Sequence, residues 1–186
     1  MARSRERGFP QLLAVGMMTR GWAMALQGQG EAGMAQLHQG LAAFRAAGAE
    51  LDRPRWLTLL VEAYGQVEQT DEGLTVLAEA LATAHTTGER RWEAELHRLK
   101  GKLLLQQRIP DEAQAETCFH QAIDIARQQQ AKSLELRAAM SLARLWQQQG
   151  KQAEAYELLV PIYGWFTEGF DTTDLREAKA LLDELS

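Results

Sequence analysis

Apolar residues along this chain recur at steps of three and four, as in Leu96, Leu99 and Leu103 or Leu134, Leu142 and Leu145. That is the period of an amphipathic helix, not the alternation of a half-buried strand. Read this way, the chain divides into paired helical segments. First helices are expected over 11–27, 54–69, 89–107 and 132–149, with partners over 31–47, 71–86, 111–130 and 151–163. The punctuation agrees: Gly48, Gly88 and Gly150 follow helices, and Asp52-Arg53-Pro54 opens one with a cap and an early proline. Pro161 falls inside the last partner segment, where its missing N–H should kink or end the helix. Beyond it come Tyr163, Trp165, Phe166 and Phe170, then Asp171-Thr172-Thr173-Asp174 as the cap of a final helix. That helix carries Leu175, Ala178, Leu181, Leu182 and Leu185 on one side.

The helical pairs also repeat. Aligning 28–41, 68–81, 115–123 and 150–163 brings small residues into register at Gly33, Gly73, Ala115 and Ala155. Larger apolar residues follow at Leu37, Leu77, Phe119 and Leu159, and a second small position at Gly40, Ala80 and Ala122, with Ile162 the exception. The spacings are 40, 42 and 40 residues. Small residues at fixed steps let neighbouring helices approach closely, as ridge-into-groove packing requires. Composition sharpens this picture. Ala 29, Leu 27 and Gln 18 make up about 40% of 186 residues, while Ile and Val together number 9, so little sheet is expected.

These residues resemble a known family. The pattern L-G/A-x-x-Y…A-x-x-x-F…A is similar to the tetratricopeptide repeat (TPR), a helix–turn–helix unit that stacks into a superhelix. The second repeat supplies Leu60, Tyr64 and Gly73; the fourth supplies Leu142, Ala143, Trp146, Ala155 and Leu159. There are departures. The repeats exceed the usual ~34 residues, Val61 replaces a small residue, Pro110-Asp111 lengthens the third turn, and the closing proline is absent. The stretch 134–185 further resembles the C-terminal repeat region of bacterial regulators that join a nucleotide-cyclase or AAA-type ATPase module to a repeat tail. The resemblance spans about 12–185. It implies an all-α, right-handed TPR-like superhelix of about four hairpins (about 11–48, 54–88, 89–130 and 132–166), with a flexible start at 1–10 and a capping helix at 172–186. It also implies a non-catalytic interaction or scaffold role in bacterial signalling, and no motif of the cyclase or ATPase modules occurs in the chain.

Charge and chemistry narrow the function. The balance of 20 Lys+Arg against 25 Asp+Glu gives −5, which argues against general nucleic-acid binding. No apolar run approaches the ~20 residues that cross a bilayer. The start is basic, then apolar over 12–18, then Ala23-Met24-Ala25, but Gln11 and Arg20 interrupt this likeness to a secretory leader, and a cytoplasmic location is expected. Gly28-Gln29-Gly30-Glu31-Ala32-Gly33 matches GxGxxG, yet the dinucleotide fingerprint needs a strand before it, and here a helix precedes. The single Cys118 reads as a packed thiol, and His38, His85, His97 and His120 lack metal-ligand spacing. No catalytic constellation, cofactor or metal is expected.

In the TPR family the first helices line the concave face. The corresponding positions here are Val15, Met18, Trp22 and Leu26; Arg55, Thr58, Glu62 and Gln66; Glu95, Arg98, Lys102 and Gln106; Arg137, Met140, Arg144 and Gln148. Each set steps by three or four along one helix face. The resulting groove starts apolar at Met18 and Trp22 and turns basic through Arg98, Lys102, Arg137 and Arg144. One reading is a groove for a protein or peptide partner with an acidic end. In the other, the cations are solvated or paired with Glu95 and Glu62, and the Val15–Met18–Trp22 face is the edge of a longer array. That apolar edge also offers a homodimer surface. A second class of function is an effector receptor, in which a small molecule or peptide in the groove regulates an attached ATPase or cyclase module.

Overall fold

The computed structural model describes residues 3–48 and 52–186, and every regular element among them is helical. The chain forms two compact units, Met1–Trp92 and Glu93–Ser186. The first contains α1 (Arg3–Leu26), α2 (Gly30–Ala46), α3 (Arg53–Gln66), α4 (Thr70–Thr87) and a 3₁₀ turn, Arg90–Trp92. The second contains α5 (Glu93–Gln106), α6 (Glu112–Gln128), α7 (Lys132–Gln148), α8 (Gln152–Tyr163) and α9 (Thr173–Leu185).

The expected pairing of helices is observed, with shifted ends. The expected flexible start at 1–10 lies partly outside the described residues; from Arg3 the backbone is helical, eight residues ahead of the expected start, and Pro10 lies within the helix. The third first-helix begins at Glu93 instead of 89, because Gly88 turns left-handed (φ 76°) and Arg90–Trp92 form a 3₁₀ turn. Pro161 does not end α8 at once. The helix continues to Tyr163, and the Gly164 N–H still reaches the Val160 carbonyl at 2.9 Å. Only the last turn is affected, so the proline costs one helical bond where few remain. At α9, Thr172 occupies the capping position but its hydroxyl donates to the Gly169 carbonyl at 2.7 Å instead of accepting from the helix. Asp111, by contrast, caps α6 by accepting from the Gln114 N–H at 2.9 Å.

Within the first unit α1 packs on α2 and α3 on α4, with α3 also touching α1 and α2. The register of small residues marks where backbones meet. A Cβ added at Gly33 would lie 2.6 Å from both the Gly21 carbonyl and the Ala25 nitrogen, and one at Gly21 would lie 2.7 Å from the Gly33 carbonyl. Leu37 and Met18 are fully buried beside this crossing, and Leu41, Phe44, Trp56, Leu60 and Tyr64 complete the core.

In the second unit α6 lies between α5 and α7, and α7 packs on α8. Ala115, Phe119, Ala122, Ala155 and Leu159, all register positions, are buried at 1% exposure or less. The final helix α9 rests on α7 and α8 and buries Leu175, Ala178, Leu181, Leu182 and Leu185, the side expected from the sequence.

Candidate functional site

The groove positions divide between the two units. In the first, Met18 is completely buried and packs where Gly40 leaves room, so it belongs to the core. Trp22 is half-buried, and its indole N–H donates to Glu62 at 2.8 Å. These two groove positions are separated by 40 residues, one repeat, and satisfy each other. Arg55 is exposed and lies over the Trp56 ring at 4.8 Å and the Trp92 ring at 5.7 Å, an arrangement that offsets part of its hydration by cation–π attraction. Gln66 is exposed at the end of α3.

In the second unit the charged positions form a ladder across α5, α7 and α9. Arg98 grips Glu95 with two bonds, Nε to Oε2 at 2.9 Å and Nη2 to Oε1 at 2.6 Å, and both side chains are buried. Arg137 stands 3.9 Å from the same carboxylate and donates to Asp174 of α9 at 2.7 Å. Arg144 donates to Glu177 of α9 at 2.9 Å. Burial alone would raise the Glu95 carboxyl, but Arg98, with Arg137 and Lys102, holds it below the usual carboxylate range. Burial would likewise lower the Arg137 guanidinium, and the Asp174 hydrogen bond with the Glu95 charge raises it instead.

The sequence reading allowed for partners at Glu95 and Glu62. Glu95 does hold Arg98, whereas Glu62 is engaged by Trp22, and the other partners come from the capping helix. The α9 carboxylates were missed as partners because a helical pattern gives the face of a residue without saying what the next helix sets against it. Glu135 was missed altogether. It lies 40 residues after Glu95, is 3% exposed, and accepts from Arg127 and Lys132 at 2.8 Å each. That repeat spacing was the signal that would have found it.

Two cavities open on the exposed side of α7. One, of about 210 Å³, lies between α5 and α7 and is lined by Arg98, Lys102, Gln106, Ser141, Arg144 and Gln148 over Leu105, Phe119 and Leu145. The other, of about 280 Å³, lies between α7 and α9 and includes Arg144, Gln147, Gln148, Glu177 and Glu184. Lys102, Arg144 and Gln148 are exposed at their rims.

The other chemical candidates are structural. Of the GxGxxG glycines, Gly28 lies in the α1–α2 turn, left-handed at φ 83°, and Gly30 and Gly33 lie at the start of α2, which follows a helix and no strand. Cys118 is buried, and burial pushes its thiol pKa up, which disfavours the thiolate. His38 shares a 3.0 Å hydrogen bond with the Tyr64 hydroxyl. Among the described residues no group of three or more His, Cys, Asp or Glu side chains is placed to hold a metal ion. No helix among them is long and apolar enough to cross a membrane.

Antiparallel helical hairpins, packed through small residues at a step of about 40, define an α-helical repeat protein. The solved structures it is similar to are TPR-like. A kinesin light chain-like protein from Podosopora anserina, built of nearly identical TPR-like repeats, matches with a TM-score of 0.67 at 18% identity over 95% of this chain and 86% of that one. A point variant of that protein matches with a TM-score of 0.68 at 17% identity over 95% of this chain and 85% of that one. At such identity the likeness establishes the fold, which is TPR-like. No family model and no curated protein sequence matches the chain.

Proposed function

We propose that this chain is a non-catalytic protein–protein interaction module, the scaffold or sensory part of a cytoplasmic bacterial signalling protein. It binds a peptide segment or a neighbouring domain against the exposed sides of its first helices. The observation that carries this reading is the α5–α7 cavity, where charged and amide groups surround an apolar floor of Leu105, Phe119 and Leu145 on a TPR-like fold. An apolar floor supplies binding energy by burial, and a few polar groups around it fix orientation. The sequence resemblance to the repeat tails of bacterial regulators supports the signalling context.

A displayed library of random dodecapeptides, selected on the full chain, tests the reading. Saturable binders that slow amide exchange in α5 and α7 are expected. Binders that protect only α6 and α8, or the absence of any saturable binder, overturn it.

The first helix supports a second contact. Leu12 and Leu13 are 69% and 62% exposed on α1, an apolar pair through which two copies would associate. Sedimentation should then show a concentration-dependent dimer that Leu12→Glu/Leu13→Glu abolishes; a strict monomer at millimolar concentration removes this contact.

A further inference from the structure

Two helix faces of this chain lack the cover that the repeat gives their equivalents. On α2 and α6 the register position held by His38 and His120 is met by a ring of the following first helix. The Tyr64 hydroxyl lies 3.0 Å from His38, and the Trp146 and His120 ring centroids are 5.7 Å apart. One repeat beyond His120 and Trp146 stand Val160 and Ser186. Ser186 brings no ring, and its hydroxyl donates to the Asp183 carbonyl at 3.0 Å. Val160, and Tyr156 one turn before it on α8, are accordingly 37% and 39% exposed. Tyr163 extends their stripe and meets the exposed Phe170, with ring centroids 5.9 Å apart.

The other face is on α1. In α3, Trp56 and Tyr64 meet Phe44 and His38 of the preceding second helix. One repeat earlier, Gly16 and Met24 hold those positions on α1. A Cβ added at Gly16 would meet nothing within 4 Å, so this face is open. The exposed Leu12 and Leu13 lie one turn before Gly16, and the exposed Arg20 one turn after it.

Charge makes the two faces complementary. Glu154 and Glu157 stand beside Tyr156 on α8, and Glu168 and Asp171 flank Phe170 in sequence. All four are exposed, and among the described residues their side chains enter no ion pair or hydrogen bond. Asp174, Glu177 and Asp183 of α9, by contrast, are each paired. Arg20 on α1 is likewise without an ion pair among the described residues, and the sequence of α1 adds Arg3, Arg5 and Arg7 against a single Glu6.

We propose that copies of this chain associate head to tail, the α1 face of Leu12, Leu13 and Arg20 docking on the α8 stripe of Tyr156 and Val160 and the carboxylates beside it. The chain itself supplies the complement of each face: an open first-helix face with unpaired positive charge and an open second-helix stripe with unpaired negative charge. Complementary potentials steer such faces together, and like charges disfavour α1 meeting α1. This rests on the contact through Leu12 and Leu13 proposed above and names the surface they meet. The contact joins two different faces, so a bound pair still offers one of each or closes on itself.

Sedimentation equilibrium of the full chain tests it with two variants, each blocked at one face: Leu12→Glu/Leu13→Glu and Tyr156→Glu/Val160→Glu. A third, Glu157→Lys/Asp171→Lys, changes only exposed charges and keeps the α8 face under test if the second variant fails to fold, which thermal melting followed by circular dichroism reports. The wild type should self-associate, and each variant should do so at least tenfold more weakly. An equimolar mixture of the α1 variant and either α8 variant offers one intact face of each kind only when Tyr156 and Val160 are intact on the first and Leu12 and Leu13 on the second, so it should form one-to-one pairs. Self-association of both α8 variants within twofold of the wild type, or mixtures that stay monomeric, overturns the head-to-tail contact while leaving association through α1 standing. A wild type that stays monomeric at millimolar concentration overturns both.

Discussion

Arg144 on α7 and Glu177 on α9 face each other across 2.9 Å, each about half exposed. Together with Arg137 and Asp174 at 2.7 Å, this pair ties the capping helix to the last first-helix by charge as well as by its buried leucines. Exposed pairs of this kind contribute about 0–1 kcal/mol, because water already solvates both charges and two long side chains lose freedom. Arg144→Gln and Glu177→Gln should each lower stability by no more than about 1 kcal/mol, with a double-mutant coupling of similar or smaller size. Urea denaturation measures this, and a coupling well above that range means α9 depends on its charges more than on its apolar side.

The buried rung of the same ladder should behave differently. Glu95 and Arg98 are both under 10% exposed and joined by two bonds, so removing one partner strands a charge away from water. Arg98→Met is expected to cost about 3–5 kcal/mol, while the double change Glu95→Gln/Arg98→Met should recover most of that loss. Denaturation curves for the three proteins decide it. A single variant no less stable than the double one removes the argument.

The repeat was legible in the sequence because its signal is steric. At Gly33 an added Cβ would collide with the backbone of α1, and Ala115 and Ala155 are completely buried, so small residues recur at the step of the fold. Helix type and pairing followed from the same periodicity. The candidate site was legible only in part. Periodicity placed Arg137 and Arg144 on the exposed side of α7, but their partners come from a helix about 30–40 residues later, and no local pattern encodes that meeting. Met18 was misplaced for a related reason. On α1 the face toward α2 and the face toward α3 are both covered, so a residue read as facing a groove lies inside the core.

The steric argument makes its own prediction. At Gly33 the nearest atoms to an added Cβ are backbone atoms of α1, which cannot rotate away. Gly33→Ala should force α1 and α2 apart and destabilise the protein by about 1–3 kcal/mol. Gly16 in the same helix α1 has nothing within 4 Å of such a Cβ. Gly16→Ala should therefore stabilise by about 0.5–1 kcal/mol through helix propensity alone. The opposite signs, read from thermal unfolding, test whether the small register positions mark backbone contact.

Acid should weaken the fold in two separate pH windows. His97 is buried, and burial lowers its pKa below the usual value, so the unfolded chain takes up its proton first as the pH falls below about 6.5. Glu95 and Glu135 titrate lower. Burial opposes their charge, yet Arg98 at the first and Lys132 with Arg127 at the second hold both carboxyls below the ordinary value. Their stabilisation is fully present above the unfolded glutamate pKa of about 4.3 and is lost as the pH falls through the folded values. His97→Gln should flatten the part of the stability profile that begins to fall below about pH 6.5, and Glu135→Gln the part that begins to fall only below the unfolded glutamate pKa of about 4.3. Urea midpoints measured from pH 3 to 8 give the profile; a flattening in the wrong window shows that other groups govern the acid response.

Two turns carry stored strain that substitution can release. The turn inside the first, second and fourth hairpins is left-handed at Gly28, Glu68 and Gly150, and the turn after the second helices is left-handed at Gly48, Gly88 and Gln130. Four of these six positions are glycine, which adopts such a backbone without steric cost; Glu68 at φ 59° and Gln130 at φ 55° do so against contact between their own Cβ and the backbone. Both side chains are exposed, so replacing them removes little packing. Glu68→Gly and Gln130→Gly should each stabilise the chain by about 0.5–1 kcal/mol, the relief of ~1–2 kcal/mol of strain less the added freedom of glycine in the unfolded chain. Because the sites lie in different compact units, their effects should add within about 0.5 kcal/mol in the double variant. Thermal unfolding of the two single variants and the double one measures all three values, and a loss of stability at either site means its side chain contributes more to the turn than the strain costs.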